Sequence, residues 1–423
     1  MNILLISANT EKINMPILPM GLGFVAAAVQ RAGHNVHFLD LMGAETPWKM
    51  LENAVTGFQP DVIGISIRNV DDQVSGTPRF LIRDAAELVS LCRKFSPAPI
   101  VLGGAGYSLF PDAMLEYLNA DMGIQGEGEF AFTELVHRME TQQPLSEVPG
   151  LYIRGKGLQA PRVCIRPDEW PFPDPNLFDS NLSKNPDYYL PFHTRRGCPM
   201  KCSYCSTSVI EGNLIRKRSP ALVVRELKKW RDAGFSRIFF TDNTFNLPPS
   251  YAQQFCEILA AENSDLQWRC IIYPGYVTEN LAKAMSNAGC RDVSLGFESG
   301  SDRVLHGLRK RFTSKDIRQS AQILADTGIG SMGFLLLGGP DETRESVLES
   351  LTFADSLKLN AMKLTVGIRI YPHTRIAEIA RSEGVIGADD NLLFPKFYIK
   401  AGMEEWLRET VAQWAAVQPN WMG

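Results

Sequence analysis

Cys198, Cys202 and Cys205 stand in a C-x3-C-x2-C run within Arg196-Gly-Cys-Pro-Met-Lys-Cys-Ser-Tyr-Cys-Ser206. Three thiolates can hold a four-iron cluster and leave one iron open to a further ligand, which is where such a cluster becomes chemically active. Other readings fit less well. A structural zinc site wants a fourth ligand, and none stands at an ordinary spacing, although folding can recruit His193 or Cys164. A thiol redox pair uses C-x2-C and leaves the third cysteine unexplained. A closed structural cluster lacks its fourth thiolate. The remaining cysteines, Cys92, Cys164, Cys256, Cys270 and Cys290, are scattered through apolar or mixed segments. They read as buried small apolar residues in a reducing compartment.

These thiols need a scaffold, and the hydrophobic pattern supplies two. Residues 1–143 alternate short apolar runs (2–7, 36–39, 62–67, 100–102, 123–124) with helical stretches (21–32, 81–95, 130–140). That alternation predicts an α/β unit, a Rossmann-like doubly wound parallel sheet covered by helices on both faces. Ligands of such sheets bind beyond the carboxyl ends of the strands. That edge carries Ser66, Arg68 and Asn69, Gly103 and Gly104, and Gly126 and Glu127.

Residues 144–190 are rich in proline, with Pro149, Pro161, Pro167, Pro171, Pro173, Pro175 and Pro186, and read as a linker with a small hairpin around Gly155-Lys-Gly157. From 191 to 385 the alternation returns in six units, with strands at 192–195, 237–241, 267–272, 292–297, 331–337 and 362–370. Six units predict a partial (β/α)6 barrel of the TIM type with its site at the carboxyl ends of the strands. The cysteine run follows the first of these strands. A C-terminal tail, 386–423, contains one expected helix at 403–416.

Composition narrows the function. With 43 Lys+Arg against 47 Asp+Glu the net charge is −4, and no basic stripe speaks for nucleic acid. Hydrophobic residues at 45% supply a core, and no apolar run is long enough to span a membrane. The chain enters its first strand without a basic, apolar leader, so a cytoplasmic location is expected.

The motifs together resemble the radical S-adenosylmethionine (SAM) enzymes, in the subgroup with an N-terminal cobalamin-binding domain, over roughly residues 1–385. The resemblance implies a 4Fe-4S cluster on Cys198, Cys202 and Cys205. It implies SAM on the open iron, cleaved by a low-potential electron to a 5′-deoxyadenosyl radical. Tyr204 matches the family position along the adenine. Phe240-Thr-Asp-Asn-Thr-Phe245 offers Asp242 and Asn243 toward the SAM amino group. Gly296-Phe-Glu-Ser-Gly-Ser301 offers Glu298 and Ser299 to the ribose or methionine part, and Lys310 to the carboxylate. Gly338, in Gly333-Phe-Leu-Leu-Leu-Gly338, matches the fifth-strand segment beside the adenine.

In the first unit, Pro19-Met-Gly-Leu-Gly-Phe-Val-Ala-Ala-Ala28, Gly103-Gly104 and Gly126-Glu-Gly-Glu129 resemble cobalamin-binding domains. The D-x-H-x-x-G segment that gives cobalt a histidine is absent, since the corresponding stretch reads Ala8-Asn-Thr-Glu-Lys12. Cobalamin without a histidine lower ligand is therefore expected, with Arg68 or Asn69 covering its lower face.

By family, the implied reaction is methyl transfer to an unactivated carbon, or to phosphorus, of a small molecule. Cyclisation, rearrangement or 3-amino-3-carboxypropyl transfer, with or without cobalamin, is the alternative. A low-potential donor such as flavodoxin or ferredoxin is implied as partner. His373, where the family more often has glycine, is a candidate for proton transfer to or from substrate.

Overall fold

In a computed structural model of the chain, which describes residues 1–9, 17–164 and 166–422, two seven-stranded sheets form two layered units. In the first, β1 (Asn2–Ser7), β2 (Asn35–Asp40), β3 (Val62–Ser66), β4 (Ile100–Gly103) and β5 (Met122–Ile124) are parallel in the order β2-β1-β3-β4-β5. The order reverses between β1 and β3, so the loops leaving these strands part there and open a crevice. Both faces of β1 are buried: Ile3 and Leu5 pack under the helices Met20–Arg31 and Gly128–Glu140, and Leu4 and Ile6 under Pro47–Phe58 and Ile82–Phe95. That double burial is why the strand reads as an unbroken apolar run.

The hairpin β6 (Leu151–Ile153) and β7 (Gly157–Leu158) adds antiparallel strands to the same sheet, with Met122 opposite Ile153. The first unit thus runs past the expected boundary at 143. The proline-rich stretch is also more than a spacer. Its Trp170, Phe178 and Tyr188 are buried, and Tyr188 accepts a hydrogen bond from the Leu18 amide (3.2 Å). It is a packed strap in which prolines set short 3-10 turns (Pro167–Glu169, Pro175–Leu177).

In chain order the second unit contains β8 (Leu190–Phe192), β9 (Arg195–Arg196), β10 (Arg216–Lys217), β11 (Arg237–Phe240), β12 (Gln267–Ile272), β13 (Cys290–Glu298), β14 (Gly330–Leu337), β15 (Ala361–Val366), β16 (Ile368–Arg369), β17 (Phe397–Tyr398) and β18 (Trp421–Met422). Seven of them form the partial barrel, all parallel, in the order β18-β15-β14-β13-β12-β11-β8. Val293, Leu295 and Phe297 of β13 pack into the layer under the helices, whereas the alternate Ser294, Gly296 and Glu298 are half-buried on the inner face. The helix Ser314–Asp326 starts with a capping box, Thr313 and Asp316 each satisfying the other's backbone N–H.

The sixth expected strand is two, broken at Gly367 (φ 83°). The segment 386–423 is part of the barrel rather than an appended tail, because β18 pairs with β15. Its helix, Glu404–Val417, lies within one residue of expectation. Cys164 is exposed, unlike Cys92, Cys256, Cys270 and Cys290, which are buried. Among the described residues no helix is long and apolar enough to cross a membrane.

Candidate active site

The cysteine loop begins at a two-stranded ribbon, β9 against β10, just beyond β8. Gly197 turns the chain out of it with φ 87°, and a Cβ there would collide with the Leu214 carbonyl oxygen. Only glycine suits a position with both constraints. The Gly197 amide donates to Glu211 Oε2 (2.8 Å), and Glu211 also accepts from Asn243 Nδ2 (2.7 Å). Asn243 Oδ1 in turn accepts from Thr207 Oγ1 (3.2 Å), which lies 3.3 Å from Cys205 Sγ. A polar chain thus links the third cysteine to the loop's entry. Thr207 and Glu211 escaped sequence reading. Their signal was only that both follow the cysteines at short range within a loop of mixed polarity.

The three thiols are half-buried. Burial pushes Cys198 up to about 11, with the neighbouring Cys205 and Cys202 adding to the rise, so the cysteines sense one another. Among the described residues no three His, Cys, Asp or Glu side chains converge as a single metal ion requires. A four-iron cube binds each thiolate to a different iron, and its ligands stand correspondingly apart. Three thiolates in one loop are the donor set that a four-iron cube would take, one on each of three irons.

Beside the loop, Tyr204, Glu298 and Lys310 meet. Tyr204 donates to Glu298 Oε1 (2.9 Å), and Lys310 Nζ donates to Tyr204 Oη (2.9 Å) and Glu298 Oε1 (3.1 Å). Burial pulls the Lys310 ammonium down, but Glu298, Tyr204 and Cys202 more than offset this and hold it well above its ordinary value. Burial, then Glu298, raises the Tyr204 phenol. Glu298 sits at a register shift in β13 with φ 67°, a left-handed conformation unusual for a non-glycine residue. Such strain clusters where the surroundings fix a side chain for chemistry.

Other expected SAM residues stand behind this cluster. Asp242 is fully buried; its carboxylate accepts from the Thr194 and Arg195 amides (2.8 and 3.1 Å) and from Thr194 Oγ1 (2.6 Å). Ser299, also fully buried, shares a 2.8 Å hydrogen bond with Ser350 and accepts from the Ser301 amide. Both use their polar atoms inside the protein and hold the strand ends in place. Gly338 (φ 101°) and Gly339 donate their amides to buried Glu342, whose carboxyl burial pushes up to about 7. His373 lies in an exposed turn with φ 59°. The left-handed backbone accounts for glycine at this position, and the exposure gives its imidazole no enclosed site to serve.

A cavity of about 350 Å³ lies where the two units meet. From the first sheet it is lined by Ser7, Asn9, Ser66, Arg68, Gly103, Gly104, Gly126 and Glu127, and from the second by His193, Arg196 and Glu211. Asn69 lies just outside it, donating weakly to Asn9 (3.5 Å). Residues 10–12, where a cobalt-binding histidine was sought, fall outside the described residues. Gly104 has φ 96°, and a Cβ on it would meet the Ile67 carbonyl oxygen at 2.5 Å; at Gly103 a Cβ would enter open space. Asn9 Nδ2 and His193 Nδ1, both buried, lack partners among the described residues. Burial, with Arg196 and Arg218 nearby, lowers His193 to about 3 and keeps its ring neutral. A wide glycine-edged cradle with idle neutral hydrogen-bonding groups suits a large, amide-rimmed macrocycle such as a corrin.

Glu127 also has a second duty. It is bidentate to Arg216 (2.8 Å for the Nη1–Oε2 pair) and lies 3.7 Å from Arg196, which donates to Glu129 (2.6 Å). This largely sheltered cluster, of which only Glu129 is fully buried, ties the two units together at the edge of the cavity.

Two family models match the chain. The Radical SAM superfamily covers residues 193–354 and the B12 binding domain residues 6–136. An uncharacterised methyltransferase of Pyrococcus horikoshii is 29% identical over 91% of this chain and 84% of its own length. The tryptophan 2-C-methyltransferase of Streptomyces laurentii is 23% identical over 88% of this chain and 73% of its own. Among solved structures, the radical SAM methyltransferase TsrM of Kitasatospora setae, with cobalamin and a [4Fe-4S] cluster bound, superposes with a TM-score of 0.87 at 22% identity, covering 100% of this chain and 90% of that one. The chain thus joins a B12-binding domain, at residues 6–136, to a radical SAM domain, at residues 193–354.

Proposed function

We propose that the protein is a cobalamin-dependent radical SAM methyltransferase acting on a carbon, or a phosphorus, of a small molecule. One observation carries the reading: the cysteine loop supplies Tyr204 to the cluster with Glu298 and Lys310, and the residues that flank it, Arg196, Ile210 and Glu211, line the glycine-edged cavity of the first sheet. When bound, the cluster supplies an electron to SAM and the corrinoid carries the methyl group. Cys198, Cys202 and Cys205 would hold the cluster. Tyr204 would lie along the adenine, Lys310 would neutralise the SAM carboxylate, and Glu298 would hold both and reach the ribose or methionine part. Asn243 would steady the loop through Glu211 and Thr207. In the first unit Ser66, Gly103, Gly104, Gly126 and Glu127 would border the corrinoid. Arg68 lines the cavity from an exposed position at its edge, and with Asn69 it would cover the lower face in place of a histidine.

Methyl transfer is favoured over the other radical outcomes because methyltransferases match the chain nearly end to end. Electrons would come from a low-potential donor of the flavodoxin or ferredoxin type in the cytoplasm. The test is anaerobic reconstitution followed by iron, sulfide and corrinoid analysis, then turnover with methyl-labelled SAM and extracts of candidate substrates. Stoichiometric corrinoid and label in a new carbon– or phosphorus–methyl product are expected. A protein that loads the cluster yet takes up no corrinoid would sink this reading and leave the cobalamin-free alternative.

A further inference from the structure

The loop after β3 does more than carry Arg68 and Asn69. It closes on itself, the Leu81 amide donating to the Val70 carbonyl (2.9 Å) and Asp71 bridging to Phe80. It is then tied to the other unit at three points. Asp71, fully buried, accepts from Arg369 Nε (2.8 Å), and the rest of the Arg369 guanidinium is fixed by the carbonyls of Ile370 (2.6 Å) and Leu392 (3.0 Å). Ser75 donates to the Val366 carbonyl at the end of β15 and accepts from Arg408 (3.0 Å) of the helix Glu404–Val417. Phe80 packs on Phe394, ring centroids 4.7 Å apart. Arg369 belongs to the short β16, beyond the break at Gly367, so the barrel's sixth strand ends in the anchor of a loop from the other sheet.

We infer that Asp71 and Arg369 are positioning residues for the corrinoid's lower face: the buried pair sets where Arg68 and Asn69 stand relative to cobalt, placing the B12 pocket under the control of the barrel and its C-terminal helix. The inference rests on the proposed function, with the corrinoid in the shared cavity. An arginine held by one carboxylate and two carbonyls cannot swivel, and the loop residues two and three positions before Asp71 inherit that fixity. Partners of this outer kind orient the groups that meet a metal.

The test uses full-length protein loaded with cluster and cob(II)alamin, read by cobalt EPR and absorption spectra and by cobalamin titration. Removing one charge alone would strand the other in the interior. The variant is therefore the neutral double substitution Asp71→Asn/Arg369→Gln, with Arg408→Ala as a second that leaves the buried pair intact. The double variant is expected to keep its iron and sulfide content, to bind cob(II)alamin roughly tenfold more weakly, and to give a broadened or shifted cobalt signal; Arg408→Ala is expected to move both readouts in the same direction but less. Arg68→Ala serves as reference. If it alters the cobalt signal while both other variants match the parent, the inference is overturned and the proposed function stands. If the parent binds no cobalamin, or Arg68→Ala leaves its signal unchanged, the premise about the lower face fails with it.

Discussion

At the scale of single residues, three side chains converge beside the cysteine loop. Tyr204, Glu298 and Lys310 lie 12 to 106 residues apart in sequence, yet one carboxylate oxygen is shared by a phenol and an ammonium within 3.1 Å. Glu298→Gln leaves that ammonium facing a neutral amide. Hydrogen bonds to charged groups contribute about 1.5–3 kcal/mol, so SAM affinity should fall roughly 10- to 100-fold. Equilibrium binding of SAM to the reconstituted protein checks this, and iron content should be unchanged. The sequence revealed this trio by motif, and the cysteines by spacing. For Asp242 and Ser299 it gave no view of their partners, because a polar residue at a strand end looks the same whether it faces a ligand or a backbone amide. Only the fold shows that their partners are Thr194, Arg195 and Ser350. It proposed chemistry for His373 because position in a strand-six loop does not reveal a φ of 59° or an exposed ring.

At the scale of elements, periodicity located nearly every long strand to within a residue or two, since strands buried on one or both faces leave a clear apolar signature. The short ones were missed. β9, β10 and β18 have two residues each, too few for any period to register, and they exist because neighbouring elements complete their hydrogen bonds. β9 and β10 matter most, because they launch the cysteine loop. Gly197 sits between them and the first thiol, where both its positive φ and the Leu214 carbonyl exclude a side chain. Gly197→Ala should therefore distort the loop while sparing the sheets. Iron and sulfide per chain should drop by at least half, with far-ultraviolet circular dichroism unchanged. Full cluster loading in this variant would show that the ribbon does not set the loop.

At the scale of the whole molecule, the two units share a hydrophobic cluster that runs from Leu4 and Ile6 of the first sheet to Ile368, Ile376 and Tyr398 of the second. The Arg196–Glu127–Glu129–Arg216 group adds a partly buried polar clasp, with Glu129 its buried member. Burial pulls the Arg196 guanidinium down, but Glu129 and Glu127 outweigh it and hold the charge. Arg196→Ala leaves Glu129 buried without its partner, and breaking such a pair costs about 3–5 kcal/mol. A single thermal transition in the parent should move to lower temperature, or split in two as the units uncouple; calorimetry distinguishes these from no effect. None of this clasp was visible from the sequence, because its members lie up to 89 residues apart.

The twisted backbone at Glu298 has a consequence for anyone who engineers this protein. Its left-handed torsion costs an acidic residue about 1 kcal/mol or more that glycine would not incur. Glu298→Gly would relieve that torsion but leave the nearly buried Lys310 ammonium without its carboxylate, a loss of about 3–5 kcal/mol that outweighs the relief. A library selected for heat resistance alone would therefore keep the carboxylate, because the ion pair that holds the chain together here is the same one that fixes the twisted backbone.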